Sequence, residues 1–133
     1  MSTLSTANIE SKAANTPPVI KDLNGTEVGQ FARAWVNFNG TGTVAIRDSF
    51  NVSSITDNGT GNYTVTFTNA MSDANYAAFC SNMFDDDSVN NGGGVWANLT
   101  RFAQTTTQVR VVSESYTSTL YDVKTVNVVV FGS

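Results

Sequence analysis

The sequence predicts an all-β fold, a single antiparallel β-sandwich or jelly-roll-like domain of about seven to eight strands behind an extended N-terminal arm. Three observations carry that expectation. Apolar and polar residues alternate over strand-length runs, most cleanly where Tyr63, Val65 and Phe67 interleave with Thr64, Thr66 and Thr68. Turn-forming clusters, among them Asn39-Gly40-Thr41-Gly42 and Asp57-Asn58-Gly59-Thr60-Gly61, punctuate the chain at roughly even spacing. No stretch keeps the helical period of about 3.6 residues long enough to build a helix.

Residues 1–28 read as the arm and residues 29–133 as the sandwich domain. The arm is rich in Ser, Thr, Ala and Asn, and Pro17-Pro18 excludes a helix there. Its apolar residues are too sparse to bury a core of their own. Leu4, Ile9, Val19 and Ile20 are instead expected to act as pegs that dock the arm on a neighbouring subunit or assembly.

Phe31 to Phe38 carries apolar residues on both alternating sets, so a strand buried on two sides is expected, with Trp35 in the core. After the Asn39–Gly42 turn, Thr43 to Val52 reads as its hairpin partner with a bend near Asp48-Ser49. Tyr63 to Thr68 is a half-buried strand, and a polar excursion separates it from the run Tyr76 to Phe84. Val95 to Phe102, with Trp96 also expected in the core, Thr107 to Ser113 and Val123 to Phe131 supply the remaining strands. The last is apolar on both faces. Phe31, Trp35, Val128 and Val130 are therefore expected at an inter-sheet or inter-subunit interface.

Composition excludes several functions. Seven basic residues face eleven acidic ones, a formal charge of -4, and no basic run appears. Phosphate-backbone binding has no electrostatic footprint here, so no nucleic-acid partner is expected. The longest apolar run, Val126 to Phe131, contains Asn127 and falls far short of the ~20 residues of a membrane span. The first residues lack the basic and apolar regions of a secretory signal, which points to synthesis in a cytoplasm.

Candidate chemistry is thin. Without histidine, Ser-His-Asp and Cys-His catalysis and the common zinc sites are excluded. Asp48, Asp57, Asp73, Glu114 and Asp122 are scattered singly and read as turn or surface carboxylates, whereas acid–base glycan hydrolysis needs a pair about 5 to 10 Å apart. Cys80 is the single cysteine, and its apolar neighbours favour a small packed side chain over a reactive thiol. No catalytic residue, cofactor or metal is expected. Asp85, Asp86 and Asp87 with Asn90 and Asn91 offer oxygen ligands but lack the spaced frame of a calcium loop, and read as an exposed tip. That tip, together with Tyr116 and Tyr121 in the polar connection Glu114 to Asp122, is the expected ligand-facing end.

A resemblance extends this reading. The run Arg33 to Gly42, RAWVNFNGTG, followed by VAIRDSFNVSSI at Val44 to Ile55, by Asp57 to Gly61, and by Tyr63-Thr64-Val65 and Ala74-Asn75-Tyr76, resembles a module of tail-fibre and other virion proteins of tailed bacteriophages, marine and cyanobacterial phages especially. The opening Met1-Ser2-Thr3-Leu4 with Pro17-Pro18 before Gly25-Thr26-Glu27-Val28 is similar too. The likeness covers residues 1–76 and brings no catalytic residue with it. It implies a non-enzymatic virion protein, homo-oligomeric and foremost a trimer. Its implied partners are itself, other capsid or tail proteins and a host cell-surface glycan. Three functions follow in order of preference: a tail-fibre or spike-like host-attachment module, a capsid decoration protein, and a carbohydrate-binding module.

Overall fold

A computed structural model of the protein describes residues 18–83, 95–99, 104–115 and 117–132, with the backbone alone for 95–99. The described chain is all β and antiparallel throughout. A hairpin of β1 (Val19–Lys21) and β2 (Glu27–Gln30) comes first. Eight strands follow: β3 (Ala34–Asn39), β4 (Ala45–Phe50), β5 (Val52–Asp57), β6 (Asn62–Phe67), β7 (Ala77–Met83), β8 (Val95–Leu99), β9 (Gln108–Ser115) and β10 (Thr125–Phe131). They form two four-stranded sheets, ordered β4-β3-β10-β7 and β5-β6-β9-β8. The sandwich predicted from the alternation is the fold observed.

One shared core holds the sheets together. From the first come Ala34, Val36, Phe38, Val126, Val128 and Val130, and from the second Tyr63, Val65, Phe67, Val109 and Val111. These are the inward positions of period-two strands. Phe38 and Tyr63 meet edge to face between the sheets, ring centres 5.2 Å apart, and Phe67 meets Tyr76 at 5.7 Å. Such pairs add directional contact to burial that is itself worth about 1.5–3 kcal/mol per large side chain.

The chain changes sheets at Asn51, between β4 and β5. Its φ of 55° is left-handed, a conformation asparagine tolerates better than most residues. The Asn51 side chain locks the crossing: Nδ2 donates to the carbonyls of Arg33 (3.0 Å) and Asn69 (3.2 Å), and Oδ1 accepts from the Asn69 amide (2.8 Å). The expected bend at Asp48-Ser49 is thus displaced to Asn51. At Arg47 the β3–β4 register slips by a bulge instead.

Burial of β3 also corrects an expectation. Ala34, Val36 and Phe38 are buried, but Trp35 is 37% exposed and Phe31, outside the strand, 42%. Both apolar sets are real; only one meets the second sheet. The arm differs in detail as well. Residues 19–30 fold back as a hairpin, turned by Asp22, whose carboxylate accepts the amides of Asn24 (2.9 Å) and Thr26 (2.8 Å). It packs chiefly on itself, with Val19, Ile20, Leu23 and Val28 open to solvent.

Candidate functional site

Among the described residues the outer faces of the two sheets differ in chemistry. On β6 and β9 the outward positions are Asn62, Thr64, Thr66, Gln108, Arg110 and Val112, all but the last polar, and Arg110 Nε donates to Asn62 Oδ1 at 2.7 Å. Water is the natural neighbour of that surface. The outer face of the β4-β3-β10-β7 sheet is different. Strand register sets Phe50 beside Trp35, Trp35 beside Val129, and Val129 beside Phe79, a continuous apolar row across four strands. Phe50 is 55% exposed and Phe79 60%. Aromatics so placed contribute little to this fold's core.

A polar row runs parallel, one outward position along the strands: Asp48, Asn37, Asn127 and Ser81. Its donors all point the same way. Arg47 Nη1 donates to Asn37 Oδ1 (3.3 Å), Asn37 Nδ2 to Asn127 Oδ1 (2.6 Å), and Asn127 Nδ2 to Ser81 Oγ (3.3 Å). Arg47 is further engaged by the carbonyls of Phe38 and Lys124 and by the Thr125 hydroxyl. These bonds fix the guanidinium in place. Between the two rows lies an open cavity of about 350 Å³, lined by side chains of Trp35, Asn37, Phe79, Ser81, Asn127 and Val129.

The carboxylates do structural work. Asp57 and Asp73 cap turns by accepting the amides of Gly59 and Asn75, and Asp48, within β4, accepts the amide of Ser49. Asp122 accepts the Gly61 amide at 2.7 Å and sits 3.0 Å from the Tyr63 hydroxyl. Burial first, and then the Asp122 carboxylate, hold the Tyr63 proton well above the ordinary tyrosine range. Among the described residues no group of three or more His, Cys, Asp or Glu is arranged to hold a metal ion, and no helix is long and apolar enough to cross a membrane. Cys80 is half-buried against the core, and burial raises its thiol pKa, disfavouring the thiolate.

The sequence-derived candidates divide. Val128 and Val130 face the inter-sheet core, whereas Trp35 lies on the outer face. Val19 and Ile20 lie on the exposed hairpin. Tyr121, expected on an open loop, is half-buried and packs against the core, its amide donating to the Ser113 carbonyl at 2.9 Å. Leu4, Ile9, Asp85, Asp86, Asp87, Asn90, Asn91 and Tyr116 lie outside the described residues, as does the Trp96 side chain. Sequence reasoning missed Phe50, Phe79 and the Asn37–Asn127 ladder. Their signal was period two itself: outward positions that are aromatic where Thr would serve.

Fold and face together define a class, a β-sandwich module that carries exposed aromatic residues on one outer sheet face. Neither a family model nor a curated protein matches the chain. Among solved structures it is similar to the phiAB6 tailspike, captured with three-repeated oligosaccharides of Acinetobacter baumannii surface polysaccharide. The TM-score is 0.54 at 12% identity, over 96% of this chain and 30% of the tailspike chain. The chain thus spans under a third of that protein, and at this identity the likeness establishes a shared fold.

Proposed function

We propose that the protein is a non-enzymatic structural component of a bacteriophage virion, displayed at the particle surface as a tail-fibre- or spike-like host-attachment module. The observation that carries this reading is the open apolar and amide-bearing face of the β4-β3-β10-β7 sheet. A folded domain that leaves aromatic residues in a row beside hydrogen-bonding amides presents a recognition surface. The tailspike-like fold and the resemblance of residues 1–76 to virion modules favour a phage setting for that surface. Among the described residues, the commitment of Asp57, Asp73 and Asp122 to backbone amides favours binding over hydrolysis.

The β1–β2 hairpin gives the anchoring half of the proposal. Its exposed Val19, Ile20, Leu23 and Val28 are the residues a neighbouring subunit or tail protein would cover, and a homotrimer is the assembly it would serve. Immunogold labelling of intact particles with antibody to this chain tests the reading, combined with competition of phage adsorption by the purified protein. Tail label and reduced adsorption are expected. Label over the head shell with unchanged adsorption would favour capsid decoration, and unlabelled particles would remove the virion assignment.

A further inference from the structure

On the attachment reading, the cavity between Trp35 and Phe79 can be assigned a ligand class. We propose that it is a sugar subsite for one neutral pyranose ring, held between the two aromatic side chains over Val129 and hydrogen-bonded along its edge by Asn37, Asn127 and Ser81. Trp35 and Phe79 flank Val129 on neighbouring strands, so their backbones stand about 9.5 Å apart at ordinary strand spacing. Two van der Waals contacts of about 3.5–4.0 Å each, one on either side of a ring, need about 7–8 Å and fit within that gap. Val129 is the small residue between large ones, which is what makes a notch out of a ridge. The cavity volume of about 350 Å³ suits a ligand of this size, at the small end of ligand pockets.

The polar edge selects hydroxyls. In the Asn37–Asn127–Ser81 ladder each amide spends one N–H on its neighbour and keeps the other, and the Ser81 hydroxyl accepts from Asn127 while its own proton stays available. Covering these donors with an apolar protein face would strand them, which is costly. Sugar hydroxyls accept them. Charge decides the rest. Arg47 is committed to Asn37, to the Phe38 and Lys124 carbonyls and to Thr125, while Asp48 closes the far end of the row. Among the described residues none that lines the notch is cationic, and a neutral ring is the ligand this lining fits better than a uronic or sialic acid.

The test uses the purified full chain on an array of neutral and acidic oligosaccharides, alongside adsorption to host cells. Trp35→Ala, Phe79→Ala and Asn127→Ala are compared with Thr64→Ala on the opposite face, each checked for a native melting transition. Neutral glycans should bind, with about tenfold loss in Trp35→Ala and Phe79→Ala and a smaller loss in Asn127→Ala, as expected for removed stacking and hydrogen-bonding partners. Thr64→Ala should bind as wild type. Phe79 lies on an edge strand and is 60% exposed, so its variant stays informative if Trp35→Ala misfolds. Cell binding that survives in folded Trp35→Ala and Phe79→Ala removes the subsite and leaves the attachment reading standing. Preference for acidic glycans, or an oligomer that Trp35→Glu dissociates, also overturns the subsite. Wild-type protein that binds neither glycans nor cells removes both.

Discussion

The Tyr63 hydroxyl lies 2.9 Å from the Gly40 carbonyl oxygen, and the space between the Gly40 backbone and that phenol is too small for even a methyl group. Position 40 starts the β3–β4 turn, and Tyr63 stands on β6 in the opposite sheet. Their contact ties the two sheets at one end of the sandwich, reinforced by the Gly40 amide donating to the Val123 carbonyl at 2.9 Å. A Cβ at position 40 would fall 2.5 Å from Tyr63 Oη and 2.9 Å from the Val123 oxygen.

Gly40→Ala should therefore destabilise the domain by roughly 1–3 kcal/mol, the cost of forcing volume into a closed site. Tyr63→Phe alone should cost about 1 kcal/mol through the lost hydroxyl contacts to Gly40 and Asp122. The double variant should cost less than the sum, because removing the hydroxyl removes the nearest clash. Urea unfolding of the four proteins measures this coupling. Additive losses would show that the neighbours left in Tyr63→Phe, the ring carbon Cζ at 2.8 Å and the Val123 oxygen at 2.9 Å, set the limit.

Asn51 separates backbone from side-chain effects at the sheet crossing. Asn51→Gly keeps access to φ 55° but loses the bonds to Arg33 and Asn69, and should cost about 1 kcal/mol. Asn51→Ala loses both and should cost about 2–3 kcal/mol, with Asn51→Val worse still. Thermal melts rank the series. Equal losses for Gly and Ala would mean that the side-chain bonds alone hold the crossing.

Why some of this was legible in the sequence and some was not follows from what period two encodes. Alternation at Tyr63–Thr68 fixed strand, face and burial together, because one set was apolar and the other was Thr. At Phe31–Phe38 both sets were apolar, and local pattern alone could not say which faced a second sheet and which faced outward. The outcome depended on the partner strands: Phe50 and Phe79 meet the Trp35–Val129 row only through pairings between residues distant in sequence. The crossing at Asn51 was hidden for a similar reason. An asparagine tolerates strand and left-handed backbone alike, and the carbonyl of Arg33 that helps hold it there lies 18 positions away.

Alkaline pH should expose the buried tyrosines. The Tyr76 hydroxyl lies 3.0 Å from the carbonyls of both Thr105 and Gln108, and burial pushes its pKa from the ordinary 10.0 up to about 12. The folded state holds this proton more tightly than the unfolded chain does. Its contribution is therefore complete below about pH 10 and is lost as pH rises through about 12, on the order of 2 kcal/mol. Urea midpoints should stay flat up to that window and then fall. Tyr76→Phe should be less stable near neutrality yet show a shallower alkaline decline, and an unchanged decline would assign the effect to other groups.

Removing residues 1–30 separates anchoring from folding. The described part of that segment, the β1–β2 hairpin, exposes Val19 by 40%, Ile20 by 49%, Leu23 fully and Val28 by 62%, so it adds almost nothing to the core. The first tie to the sandwich that must survive is the Arg33 amide bonded to the Val130 carbonyl at 2.7 Å, and it lies beyond the cut. The truncated chain should therefore melt within a few degrees of the full chain, a loss below about 1 kcal/mol. Light scattering should give an oligomer for the full chain and a monomer for the truncated one, and particles made with the truncated chain should lack it. A truncated chain that still assembles and is incorporated would move anchoring to the sandwich itself. In that event the outer row of Phe50, Trp35, Val129 and Phe79 becomes the candidate surface, since Phe50 and Phe79 are the most exposed aromatic residues among those described.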